Sequence, residues 1–134
     1  MTALTTDINR IYEHQDDKNA FPVAAEMKIY EGSLLSKSAD GYAQPLIAGE
    51  EIAGFSLDNV DNIQGSDGEK MVNVKAQGKV SLFISGLTAA DVGKKVYASD
   101  DNTFTLTETG NSTVGKVIRF EKADYGIVAF NFFI

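Results

Sequence analysis

The sequence has no cysteine and no tryptophan, only two prolines and a single histidine. Without cysteine there is no disulfide staple, thiolate zinc site, iron–sulfur cluster or cysteine nucleophile. Without tryptophan there is no indole platform on which to stack a sugar ring. The lone His14 falls in a polar N-terminal stretch, so neither a Ser-His pair nor a multi-histidine metal site is expected within one chain. Long apolar runs are missing too. The longest, Ala20-Phe21-Pro22-Val23-Ala24-Ala25, is broken by Pro22 and falls far short of the roughly 18 residues that span a bilayer. Residues 1–10 place Asp7 and polar threonines where a secretory signal needs a basic and then an apolar region, so no export is expected. Positive charge is also scarce. Twelve Lys and Arg against nineteen Asp and Glu leave a net charge of −7, the wrong sign for neutralising phosphates. Nucleic acid and membrane are therefore not expected as partners.

What remains is the composition of a soluble globular protein. With 134 residues, 43% apolar and 23% charged, the chain suits one domain around one core. It divides into an N-terminal arm, residues 1–25, and a body, residues 26–134. The arm carries Ile8, Ile11 and Tyr12 at i, i+3, i+4 spacing, then a polar stretch, then Phe21 and Pro22. One helical turn capped by Thr6 is possible there, although too short to stand alone in water.

The body reads as β throughout, in short runs punctuated by Gly, Asn and Asp. Expected strands cover 27–31, 33–37, 51–57, 71–77, 79–85, 95–98, 103–108, 115–121 and 126–133. Val72, Val74 and Ala76 alternate with Asn73, Lys75 and Gln77, which predicts one wet face. One short helical turn is expected over 87–93, with Thr88 as cap, Asp91 at box spacing and Gly93 as terminator. Gly78 interrupts a run from Val72 to Ile84 and predicts a bulge or bend there. The last eight residues, Ile127-Val128-Ala129-Phe130-Asn131-Phe132-Phe133-Ile134, are apolar on both faces, so both faces should be covered, one by the core and the other by a neighbouring element or subunit. Phe132, Phe133 and Ile134 are the candidates for an oligomer interface. The expected fold is all-β, with one short helical turn and an extended N-terminal arm.

Three motifs invite chemistry. Gly110-Asn111-Ser112-Thr113-Val114-Gly115-Lys116-Val117 has phosphate-loop spacing as far as Lys116. Val117 then replaces the magnesium-binding hydroxyl, and 116–121 alternates as a strand where a helix is required. The stretch from Asp58 to Glu69 begins and ends like a calcium loop, but Val60 and Ile63 stand where a ligand and the turn glycine belong. The sequon Asn111-Ser112-Thr113 matters only in a secreted eukaryotic protein. The adjacent acids Asp16-Asp17, Glu50-Glu51 and Asp100-Asp101 would point to opposite faces in a strand and be solvated in a loop. No catalytic residue, cofactor or metal is expected, and no enzymatic activity.

A resemblance gives the body a more specific reading. It is carried by the block Val92-Gly93-Lys94-Lys95-Val96-Tyr97-Ala98-Ser99-Asp100-Asp101, followed by Phe104-Thr105-Leu106-Thr107 and Gly110-Asn111-Ser112. Gly32-Ser33-Leu34-Leu35, Gly41 to Leu46, Ile52 to Ser56 and Gly78-Lys79-Val80 support it more weakly. Over roughly residues 27–134 the chain resembles the small head-decoration, or cement, proteins of tailed bacteriophages. That resemblance implies a β-barrel or β-tulip domain, assembled as a homotrimer, on the outer surface of the virion head, where it binds the major capsid protein. The arm lies outside the matched region, and its residues Ile8, Ile11, Tyr12, Phe21 and Pro22 are candidate capsid contacts. The competing expectation is a receptor- or carbohydrate-binding β-module of a tail or cell surface, using the loops at 58–69 and 100–102, with or without calcium. A small β-barrel hydrolase is the least favoured reading.

Overall fold

The computed structural model describes residues 3–13 and 16–134. Twelve strands form two five-stranded antiparallel sheets and one two-stranded ribbon. In chain order they are β1 (Lys18–Pro22), β2 (Met27–Ile29), β3 (Leu34–Lys37), β4 (Ala43–Pro45), β5 (Ile52–Ser56), β6 (Val60–Asn62), β7 (Met71–Lys75), β8 (Gln77–Phe83), β9 (Lys95–Asp100), β10 (Thr103–Thr105), β11 (Ser112–Lys122) and β12 (Tyr125–Asn131). The first sheet runs β1-β7-β5-β3-β4, the second β10-β9-β11-β12-β8, and the ribbon is β2-β6. The all-β expectation is what the structure has.

The layers follow from side-chain alternation. In β3, Leu34 turns into a core shared with the second sheet, while its neighbour Leu35 turns into a second core under the ribbon. The first core joins Leu34, Ile52 and Phe55 to Val96, Phe104, Val117, Val128 and Phe130. The second joins Leu35, Val72 and Val74 to Ile29 and Val60 of the ribbon. The first sheet is thus the middle of three layers, and every residue of β5 is buried. In β5 a bulge changes the parity: Leu35 faces Gly54 and Ser36 faces Ile52, which leaves Ala53 as the extra residue. Ile52 and Phe55 therefore enter the same core, the re-aiming a bulge provides. Gly54 sits at φ +150°, and a Cβ there would stand 2.7 Å from the carbonyl oxygen of Lys75.

Neither large sheet closes into a barrel. The edges of the first touch at one isolated parallel bridge, Val23 to Ala43, and those of the second at Ile84 to Phe104. Single bridges without a ladder leave two curled, open sheets. The long run from Val72 to Ile84 is not interrupted at Gly78, which stays in register opposite Phe130 within β8, but at Ala76, the one residue outside both strands, where the chain passes from the first sheet to the second.

The helical turn is a 3-10 turn over Ala89–Asp91. The Asp91 carboxylate accepts from the Thr88 main-chain N–H at 2.9 Å and from Lys94 Nζ at 2.8 Å. Those bonds, that of Lys94 first, hold its pKa below the ordinary 3.8.

The body begins earlier than position 26. β1 pairs along its whole length with β7, and Val23 is fully buried. The free arm therefore ends near Asp17. No helical turn forms around Thr6 to Tyr12, because one turn with nothing to pack against cannot meet the cost of nucleation.

Candidate functional site

The arm and the C-terminal tail meet at one residue. The Ala76 N–H donates to the carbonyl of Asp17 at 2.7 Å, and the Ala76 carbonyl accepts the Phe132 N–H at 2.7 Å. The root of the arm is further tied by the ion pair of Asp17 with Lys75. The hydrogen bond from Lys75, ahead of its charge, holds the Asp17 carboxyl below the ordinary carboxylate pKa, against the opposing effect of burial.

Residues 3–13 are exposed throughout. Ile11 is 97% and Tyr12 86% exposed, and Leu4 and Ile8 are also open to solvent, so four large apolar side chains stand on this segment. Phe21 and Pro22 differ from them. Both are half-buried in β1, and Phe21 packs on the second core. The structure therefore leaves Ile8, Ile11 and Tyr12 together on the free arm and gives Phe21 a place in the body.

The tail is also divided. β12 ends at Asn131, short of the expected Phe133. The Phe132 ring stacks on Phe130 with centroids 5.2 Å apart, and lies 6.3 Å from Phe55. Phe133 is half-buried, its N–H bonded to Asn131 Oδ1 at 3.0 Å, and Ile134 is fully exposed. Beside the tail runs an open groove of about 850 Å³, with Ile52, Val114, Phe130 and Phe132 among its apolar lining and Lys95 and Lys116 among its charged lining. Ser112, which lies between the strands expected over 103–108 and 115–121, is buried at its edge. Its Oγ donates to the Glu50 carbonyl at 2.7 Å and accepts the Gly49 N–H at 2.9 Å. Glu50 is itself occupied, with Oε1 accepting from Ser36 Oγ at 2.7 Å and Gln44 Nε2 at 2.8 Å.

The calcium-like stretch is taken apart by the fold. Asp58 accepts from the N–H and Nδ2 of Asn73 at 2.9 and 3.1 Å, Asp61 from the Ile63 N–H, and Asp67 from the Ala25 N–H. Val60 and Asn62 turn inward as β6, and Lys70 Nζ donates to the Asp61 carbonyl at 2.6 Å. Among the described residues no group of three or more His, Cys, Asp or Glu is placed to hold a metal ion. Asp100 is likewise engaged. It accepts from the Asn102 N–H at 2.9 Å and Thr103 Oγ1 at 3.0 Å, and these bonds, the Asn102 one first, lower its pKa. From Ser112 onward the formal phosphate loop is part of an 11-residue strand, β11. His14 lies outside the described residues. Among the described residues no helix is long and apolar enough to cross a membrane.

Compared with protein-family models, with curated proteins and with solved structures, the chain matches none.

Proposed function

We propose that the chain is a decoration protein of a tailed-phage head, which binds the outer surface of the expanded shell and cements neighbouring major capsid subunits. The observation that carries the reading is the resemblance of the block from Val92 to Asp101, with Phe104 to Thr107 and Gly110 to Ser112. In the fold these residues form β9, β10 and the start of β11. The layout of the surface supports it: an arm with four exposed apolar side chains is rooted against a packed β body. Such a protein acts through contact area and multivalency, with no need of a reaction. In a homotrimer three arms each add one contact, to the shell or to a neighbouring decoration subunit.

Co-sedimentation with expanded, undecorated heads tests this reading. Saturable, stoichiometric pelleting is expected. A chain that stays in the supernatant at every ratio would count against it.

A second reading, a glycan-binding module built on the loops at 58–69 and 100–102, is weaker on geometry. The carboxylates of Asp58 and Asp100 are already taken up by the protein's own donors.

A further inference from the structure

Charge is unevenly distributed over this acidic protein. On the outer face of the second sheet, Lys79 on β8, Ala129 on β12, Lys116 on β11 and Lys95 on β9 occupy one cross-strand row. Arg119 shares the next row with Ile127 and Ser81, and Lys122 the row after with Tyr125 and Phe83. The rows in between hold Val117, Val128 and Val80, which face the core, so the five cations share the opposite side. All five are exposed, and among the described residues none is in an ion pair. Lys95 and Lys116 stand directly opposite each other on neighbouring strands, an arrangement that repels. Two carboxylates are bonded on this face: Glu121 accepts from Ser81 Oγ at 2.6 Å and Glu108 from Tyr97 OH at 3.0 Å. Glu50 and Glu51 line the groove beside Lys95 and Lys116 but are engaged by Ser36, Gln44 and Lys37. Five cations against these two bonded carboxylates leave an excess of three positive charges on the sheet, in a chain whose net charge is −7. Apolar surface lies among them, with Ile127 and Ala129 half-buried and Phe83 about half exposed.

The complement of this face is on the same chain. Beyond its paired root, the arm carries Asp7 and Glu13 against Arg10, with Asp16 at the root accepting from the Lys18 N–H at 2.8 Å, and presents Ile8, Ile11 and Tyr12. A dozen extended residues reach roughly 40 Å, whereas four adjacent strands span about 14 Å. The arm is therefore long enough to cross the whole face. Its own copy does not use it so, because residues 3–13 are exposed and the lysines are uncovered.

We propose that the acidic, apolar arm of one copy lies across the basic outer face of the β8-β12-β11-β9 sheet of a second copy. The contact is heterologous, since arm meets face and not arm, so it closes into a ring wherever the rotation per subunit permits. The proposal concerns contacts between copies and is tested with no capsid present, so its failure leaves the phage-head reading to its own experiment.

The test uses two variants, one lacking residues 2–15 and the other carrying Lys79→Glu, Lys95→Glu and Lys116→Glu. Masses are read by light scattering at low salt and again at about 0.5 M salt, where surface charge is screened. The full chain is expected to be oligomeric at low salt and to lose mass at high salt. Each variant alone is expected to be monomeric, with its melting temperature kept as evidence of folding. An equimolar mixture should form a one-to-one pair, because one variant supplies only a face and the other only an arm. Should the triple Glu variant not fold, the Lys→Ala triple takes its place. A full chain that is monomeric at both salts, variants that remain oligomeric, or a mixture that fails to pair would each overturn the proposal.

Discussion

The Phe132 N–H donates to the Ala76 carbonyl across 2.7 Å, which fixes the last ordered turn of the tail to the hinge between the two large sheets. On the other side of the same hinge, the Ala76 N–H is bonded to Asp17. The exposed arm thus starts where the chain changes sheets, and the boundary between arm and body can be tested by cutting on either side of it. Removing residues 2–15 takes away no buried side chain among the described residues and, in about 0.5 M salt where surface contacts between copies are screened, should leave the melting temperature within about 2 °C, in keeping with surface changes of about 0.5 kcal/mol or less. Removing residues 2–22 also takes β1 and the packed Phe21, and should cost about 2 kcal/mol or more in a denaturant titration. Equal loss from the two deletions would contradict the boundary.

The two-core arrangement makes a sharp demand on adjacent residues. Leu34 and Leu35 are both fully buried, on opposite faces of β3. Leu34→Ala and Leu35→Ala should each destabilise by roughly 2–5 kcal/mol. In a two-layer sandwich with a single core, one of the two would face solvent and its truncation would be nearly neutral, so a near-neutral result at either position contradicts the middle-layer placement.

Two glycines of the second sheet should respond unequally. A Cβ at Gly115 would stand 2.0 Å from the main-chain oxygen of Ala129, whereas one at Gly126 would meet the end of the Leu87 side chain at 2.7 Å. A strand carbonyl cannot move without breaking its ladder, but a leucine can change rotamer. Gly115→Ala is expected to cost about 3 kcal/mol and Gly126→Ala about 1 kcal/mol, the range for forced overpacking. Chemical denaturation of the two variants measures the difference, and the reverse order would contradict the packing described.

Acid stability carries the signature of Asp17 and Asp91. Both have a folded-state pKa below the ordinary 3.8, through hydrogen bonds from Lys75 and Lys94 in the first place. A depressed carboxylate contributes stability that is fully present above its unfolded value and is lost as pH falls through its folded value. Thermal melts should therefore fall more steeply below about pH 4 in the parent than in the Asp17→Asn, Asp91→Asn double variant. Parallel curves would remove these two groups from the acid response.

Alternation and composition reveal nine of the strands. Val72 and Val74 alternate with polar neighbours and bury as expected, and Thr88 with Asp91 marks the 3-10 turn. Three strands escape the pattern for identifiable reasons. β1 and β4 each end in a proline, and both are edges of the first sheet, the place where a strand tolerates one. Their short, mixed sequences gave no periodic signal. β6 lies inside an acidic stretch that reads as a loop. Its clue was the alternation of Val60 and Asn62 about Asp61, which buries the first and third residues. The basic face was not legible because its members are distant in sequence, and only the register of four strands brings Lys79, Lys116 and Lys95 into one row. The candidate contacts divide similarly: Ile8, Ile11 and Tyr12 are exposed as a binding arm needs, whereas the apolar character of Phe21 and Phe132 reflects packing within the chain.

Binding of the full chain and of the chain lacking residues 2–15 to expanded, undecorated heads, measured side by side by co-sedimentation, tests the central claim most directly. The account predicts saturable, stoichiometric occupancy for the full chain and at least tenfold weaker occupancy for the shortened one, with both folded to the same melting temperature. That factor of ten corresponds to about 1.4 kcal/mol of lost contact. A full chain that does not pellet with heads, or two chains that pellet equally, would contradict a decoration protein that holds on by its arm.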